Sequence, residues 1–148
     1  MKKTNKIYQN YDISLLALIR WVNSEYEENV AKKTTKNKIL NQRAVRSVLK
    51  ILSMNNGISQ NDLAREVHLK GSTISIALTK MENEELIKRV ESDSDKRKVN
   101  VFLTAKGYDL MKETDALVES VEEEMLVGLS ESEKYELKST LRKILLNC

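Results

Sequence analysis

The densest chemistry in this chain lies at residues 92–107, Ser-Asp-Ser-Asp-Lys-Arg-Lys-Val-Asn-Val-Phe-Leu-Thr-Ala-Lys-Gly. Two aspartates and then three consecutive cations, Lys96, Arg97 and Lys98, crowd a short polar tip. Val99, Val101 and Leu103 follow on alternate positions, the period of a half-buried strand, and Thr104 stands where a helix would be capped. A cationic tip on a two-stranded ribbon suits a polyanion. Lysine and arginine neutralise phosphates and release condensed counterions, and an arginine fits a narrow, negative groove.

Other chemistries find few residues to carry them. The chain has a single histidine, His68, and a single cysteine, Cys148, its last residue. It has neither a Gly-rich phosphate loop nor a nucleophile motif, so no enzyme and no cofactor are expected. A His/Cys metal site lacks ligands. The run Glu122-Glu123-Glu124 would splay its carboxylates around one helix turn, which favours a solvated face over a metal site. Cys148 could act as a redox switch, yet it has no nearby base or resolving thiol in sequence.

The 148 residues suit one domain. No proline, four glycines and abundant Lys, Glu and Leu point to a mostly helical chain. No apolar run approaches a membrane span and no leader pattern opens the chain, so a cytoplasmic location is expected. Residues 1–108 hold 20 Lys/Arg against 12 Asp/Glu, a net +8, while residues 109–148 hold 5 against 10, a net −5. A basic body with an acidic C-terminal part points to a nucleic-acid face on one side and another task on the other, the alternative being ordinary scatter of solvated charge.

Several elements must position the basic tip. Tyr8, Tyr11, Leu15, Leu18, Ile19, Val22, Tyr26 and Val30 recur at helical spacing, predicting a long first helix over 7–33, buried on more than one side. A second helix should open at Asn41, with Leu40 and Val45 as a hydrophobic staple, and end at Asn55-Asn56-Gly57. Ser59 caps a short third helix, Asp62 to about Val67. The turn His68-Leu69-Lys70-Gly71 leads into a fourth helix from about Ser72 to Glu84. Two short helices joined by such a turn form a helix-turn-helix. Leu86–Glu91 and Val99–Leu103 supply a β-hairpin, Thr104 caps a fifth helix, and the capping box Ser130-x-x-Glu133 opens a sixth.

On the fourth helix Ile74, Leu78 and Met81 form the inner stripe, widened by Ala77. Ser72, Thr73, Ser75, Ile76, Thr79 and Lys80 are left outward, where small hydroxyls can approach bases or phosphates closely. An outward Ile76 is either a scattered apolar residue or a contact for a thymine methyl. Arg43, Arg46, Lys50, Arg65 and Lys70 could flank a groove as phosphate clamps, or simply be solvated.

From about Leu40 to Gly107 the chain resembles the multiple-antibiotic-resistance repressor (MarR) family of winged-helix regulators. The resemblance is carried by Ile58-Ser59-Gln60-Asn61-Asp62-Leu63-Ala64, by Gly71-Ser72-Thr73-Ile74-Ser75, and above all by Asp95-Lys96-Arg97 followed by Leu103-Thr104-Ala105-Lys106-Gly107. It implies dimers held by the first and last two helices and bound to pseudo-palindromic double-stranded DNA. Arg97 would be the wing arginine of the minor groove, held by Asp95, with Ser72, Thr73, Ser75 and Ile76 at base-reading positions. The family usually has glycine at the position of His68 and near Glu85, and often a basic residue at that of Ile76. The first two departures strain a turn and weaken a helix stop; the third argues against borrowing an operator from relatives.

The expected fold is therefore mainly α with a small β-hairpin wing, a winged helix-turn-helix flanked by N- and C-terminal dimerisation helices. One domain would span 1–148, with a DNA-binding lobe over 40–103 and helical dimerisation regions at 1–33 and 104–148. The expected function is a homodimeric, sequence-specific DNA-binding regulator, a repressor released by a small molecule. Its DNA contacts would come from Arg46, Lys70, Ser72, Thr73, Ser75, Ile76, Lys80, Asp95, Lys96, Arg97 and Lys98. A small aromatic or amphipathic effector, implied by the resemblance, would lie among Trp21, Val22, Val45, Leu49, Tyr108 and Met111, residues that could equally be core. The alternatives are a winged-helix protein-interaction module without specific DNA binding, and a regulator without a ligand switch.

Overall fold

The computed structural model describes residues 12–34 and 36–148. Among the described residues, six α-helices and one antiparallel hairpin follow in the order helix, helix, helix-turn-helix, hairpin, helix, helix. Helix α1 (Leu15–Lys33) begins after Ser14, whose hydroxyl accepts from the Ala17 amide. The expected start at residue 7, with Tyr8 and Tyr11, lies outside the described residues.

The second helix departs from expectation. A 3-10 turn (Lys38–Asn41) precedes it, and α2 (Arg43–Met54) opens at Gln42, whose side chain makes no capping bond. Asn41 is used up closing the 3-10 turn and so caps nothing. Leu40 and Val45 still bury together in the core. Val45, Val48, Leu49 and Leu52 follow the i, i+3, i+4, i+7 rule and all are fully buried. Against this stripe pack Leu63 of α3 (Gln60–Glu66) and Ile74, Leu78 and Met81 of α4 (Gly71–Asn83). Burying each such side chain contributes about 1.5–3 kcal/mol.

Serine 59 caps α3 as its spacing requires: its Oγ accepts from the Asp62 amide at 3.2 Å and donates to the Asp62 carboxylate at 2.6 Å. Two turns carry non-glycine residues in the left-handed region, His68 at φ 50° and Glu85 at φ 59°. These lie at or near the two positions where the family resemblance calls for glycine. The strained end of α4 is braced from α5 (Ala105–Met125): Thr104 Oγ1 donates to the Glu85 carbonyl at 2.7 Å, and Lys106 Nζ donates to that of Glu84 at 2.7 Å. The helix-end carbonyls themselves are met by backbone amides, Leu86 to Met81 and Glu85 to Glu82, both at 2.9 Å, so the closure that glycine usually provides forms here around Glu85.

Strands β1 (Ile87–Glu91) and β2 (Val99–Leu103) pair antiparallel, with Ile87 opposite Leu103 and Glu91 opposite Val99. The other edge of β2 is covered by the chain before α3, where the Gly57 amide donates to the Val101 carbonyl at 2.9 Å and the Val101 amide to that of Ile58 at 3.0 Å. The hairpin thus grows out of the core at Val101 and Leu103 and projects its polar tip outward.

Helix α5 runs back along α1 and α2. Lys33 Nζ bonds Glu124 at 2.7 Å, Asn37 bonds Glu113 at 2.7 Å and Lys50 meets Asp115 at 3.1 Å. Helix α6 (Glu131–Leu145) opens with the full Ser130/Glu133 capping box, and none of its residues is buried. Of α1 only Val30 is buried, so the helix is not buried on several sides as its pattern predicted. No helix among the described residues is long and apolar enough to cross a membrane.

Candidate nucleic-acid interface

The wing tip is organised by one carboxylate. Asp95 Oδ1 accepts from the Arg97 backbone amide at 3.0 Å and from Arg97 Nε at 3.3 Å, while its carbonyl accepts from the Lys98 amide at 2.8 Å. An aspartate that bonds its own backbone two residues on is a standard turn-maker. Here it also orients a guanidinium, whose side chain remains 92 % exposed. Lys96 and Lys98 are exposed beside it, and the Ser92 amide closes the loop onto the Lys98 carbonyl at 2.9 Å.

Helix α4 presents the expected second surface. Ser72, Thr73, Ser75, Thr79 and Lys80 are exposed, and Ile76 is 71 % exposed on the same side, while Ile74, Ala77, Leu78 and Met81 are buried. Lys70 occupies the N-cap position without a side-chain capping bond. The first-turn amides therefore stay available to a phosphate, which the helix dipole also favours. A β-carbon on Gly71 would meet no heavy atom within 4 Å, so glycine here keeps that helix end approachable rather than relieving an internal clash.

Helix α4 and the wing are tied to each other. Arg89 of β1 donates from Nε to Glu82 Oε2 at 3.0 Å, from Nη2 at 2.5 Å, and from its backbone amide to Oε1 at 3.3 Å. These bonds from Arg89 hold the Glu82 carboxyl below its ordinary value.

Neighbouring helices contribute residues that spacing along one element does not reveal. A recess of about 340 Å³ lies between the start of α2 and α4, lined by Gln42, Arg43, Ala44, Leu69, Thr73, Ile76 and Ala77. It is largely apolar, and Ile76 forms one wall. A smaller cleft of about 150 Å³ joins Arg97 and Lys98 to Ser59, Gln60 and Asn61 at the start of α3. Gln42, Gln60 and Asn61 were not among the expected DNA contacts; the packing of separate helices brings them to these surfaces.

Arg46 is a correction. Three residues beyond the exposed Arg43, it is 6 % exposed and cannot clamp a phosphate. Its Nη1 donates to the Leu40 carbonyl at 2.5 Å and its Nη2 pairs with Glu27 of α1. The helical period turns position 46 inward, and a buried guanidinium must be partnered. Lys50 and Arg65 stay exposed, each beside a carboxylate, Asp115 and Asp62.

The six expected effector walls fall in different surroundings. Val45 and Leu49 are fully buried core residues. Trp21, Val22 and Tyr108 are exposed and Met111 is half-buried against the core, so the six do not enclose one cavity. The recess between α1, the 3-10 turn and α5 is lined instead by Lys33, Thr34, Lys36, Asn37, Leu40, Glu113 and Leu117, with a volume of about 270 Å³.

Comparison with known proteins agrees with this geometry. The MarR family model matches residues 46–99. The HTH-type transcriptional repressor Rv2887 of Mycobacterium tuberculosis is 30 % identical over 96 residues, which are 65 % of this chain and 69 % of that one. The structure of the S. aureus MepR–DNA complex superposes with a TM-score of 0.80 at 27 % identity, over 93 % of this chain and 100 % of that one. BpsR of Bordetella bronchiseptica, whose DNA binding is regulated by 6-hydroxynicotinic acid, shares the fold with a TM-score of 0.76 at 23 % identity, over 86 % and 96 % of the two chains. The wing, the helix-turn-helix and these relatives lead to one assignment: the chain belongs to the MarR family of winged-helix, DNA-binding transcription regulators, which are not enzymes.

Proposed function

We propose that this protein is a homodimeric repressor that binds a pseudo-palindromic operator in the cytoplasm and is released by a small molecule. The observation that carries the DNA reading is the pairing of an exposed, Asp95-oriented Arg97 with an α4 face made of Ser72, Thr73, Ser75 and Ile76. The wing would supply affinity through the minor groove, where the base code is degenerate. The α4 face would supply sequence choice, with Lys70, Lys80, Lys96 and Lys98 on phosphates.

The dimer is supported by apolar surface that the chain leaves uncovered. Leu15, Leu16 and Val22 of α1 and Tyr135 and Leu145 of α6 are all more than half exposed. A fifteen-residue helix with no buried residue needs a partner to hold it. A second copy offers the same faces under two-fold symmetry. Rv2887, a repressor by name, favours repression over activation. The effector would enter the recess at Lys33, Thr34, Asn37 and Leu40, where α1 meets the DNA-binding lobe; the regulation of BpsR by a small aromatic acid supports that class.

Two measurements test the reading together. Light scattering should give about 34 kDa, twice the 17.0 kDa of the chain. Selection from random duplex DNA should return two half-sites related by a dyad. A monomer, or selection without enrichment, would overturn it.

A further inference from the structure

Arg46 is where α1 and the DNA-binding lobe are joined by buried charge. One terminal nitrogen holds the Leu40 carbonyl of the 3-10 turn, and the other holds the Glu27 carboxylate on α1. Its charge also acts on Tyr26, one residue before Glu27. The ties that bind this region to α5 instead, Lys50–Asp115 and Asn37–Glu113, are exposed and individually weak. A buried ion pair is a poor source of stability, because desolvation offsets its attraction. What it does supply is direction: the planar guanidinium meets its two oxygens from different elements in one relative geometry, whereas apolar contacts can slide.

We propose that Arg46 is a positioning residue that fixes the angle between α1 and the winged lobe, and so sets the half-site spacing the dimer accepts. It would act through Glu27 and Leu40 without touching DNA. The inference rests on the dimeric, two-half-site reading above. In a two-fold helix-turn-helix protein the half-site spacing mirrors the separation of the recognition helices. The lobe angle then decides specificity at spacer base pairs the protein never reads.

The test uses full-length wild type, Arg46→Met and Glu27→Gln, titrated against four duplexes. These are the selected operator, the operator with one base pair added to the spacer, the operator with one removed, and an isolated half-site. One base pair rotates one half-site by about 35° relative to the other, so wild type should lose about tenfold or more on either altered spacer. Both variants should keep wild-type half-site affinity, cooperative melting and dimer mass, yet lose less than about threefold on the altered spacers. A merely structural role would instead lower half-site and operator binding together and leave the spacing profile sharp. A sharp profile in dimeric Arg46→Met overturns the proposal alone. Failure of both variants to fold also overturns it, since the pair would then hold the lobe together rather than aim it. If wild type is a monomer or selects no paired half-sites, the dimer reading itself falls and takes this proposal with it.

Discussion

Replacing Arg97 by Ala should separate DNA affinity from folding. The side chain is 92 % exposed, and the bonds it makes are to Asp95, within its own turn. Its loss should leave the urea unfolding free energy within about 0.5 kcal/mol of wild type. The whole penalty should fall on DNA. A positioned contact is worth about 1–3 kcal/mol per half-site. A dimer losing two should therefore bind its operator at least about 30-fold more weakly. The same contacts release counterions, so the slope of log affinity against log salt should become shallower by about 1.8 for the dimer. Between about 50 and 200 mM salt, the advantage of wild type over the variant should therefore shrink roughly tenfold. Fluorescence anisotropy with a labelled operator and an unrelated duplex, across a salt series, measures both quantities. Asp95→Ala should cost less, because it frees the guanidinium without removing its charge. If Arg97→Ala binds both duplexes as tightly as wild type at every salt concentration, the wing does not contact DNA and the site has been misplaced.

Three changes within or beside α4, and one at the root of the wing, should have distinct signatures. Ile76→Arg should change which operator is recovered by selection, with non-specific affinity altered only by the added charge. Glu85→Gly should stabilise the fold by about 0.5–1 kcal/mol in urea, because relief of the left-handed strain exceeds the entropy glycine adds to the unfolded chain. Gly107→Ala should destabilise by about 1–3 kcal/mol or more, since its β-carbon would lie 2.0 Å from the Leu86 carbonyl oxygen, part of the backbone leading into β1. Glu82→Gln should be less stable than wild type at pH 7. The carboxyl of Glu82 is held low in the folded state by Arg89. Its contribution is therefore present above the ordinary value of about 4.3 and is lost as pH falls through the lower folded value, where the two proteins should converge in denaturant midpoint.

Much of this molecule is written in local pattern. Period-3.6 stripes at Val45–Leu52 and Ile74–Met81 mark the inner faces of α2 and α4, and both are buried in one core. Ser59, Thr104 and Ser130 cap the helices their spacing announces, since a cap is an interaction over three residues. The wing tip is equally local: Asp95 and Arg97 meet within one turn. The outward face of α4 follows from the same arithmetic that identifies its inner face.

What the sequence could not decide were contacts between residues distant along the chain. The lead-in to α2 departs from its local pattern because a 3-10 turn, packed against α1, takes the place of the expected cap at Asn41. Arg46 looks like its neighbour Arg43 in the sequence; only the approach of Glu27 and the Leu40 carbonyl makes one a buried tie and leaves the other at the surface. The recesses beside Ile76 and Arg97 draw Gln42, Gln60 and Asn61 from other helices, and the junction recess is lined by residues other than those expected. Amphipathic period, caps and turns are set by neighbours a few bonds away, so the amino-acid order determines them directly. The partner of a charge and the walls of a cavity depend on how whole elements pack, and that was decided only in the tertiary structure.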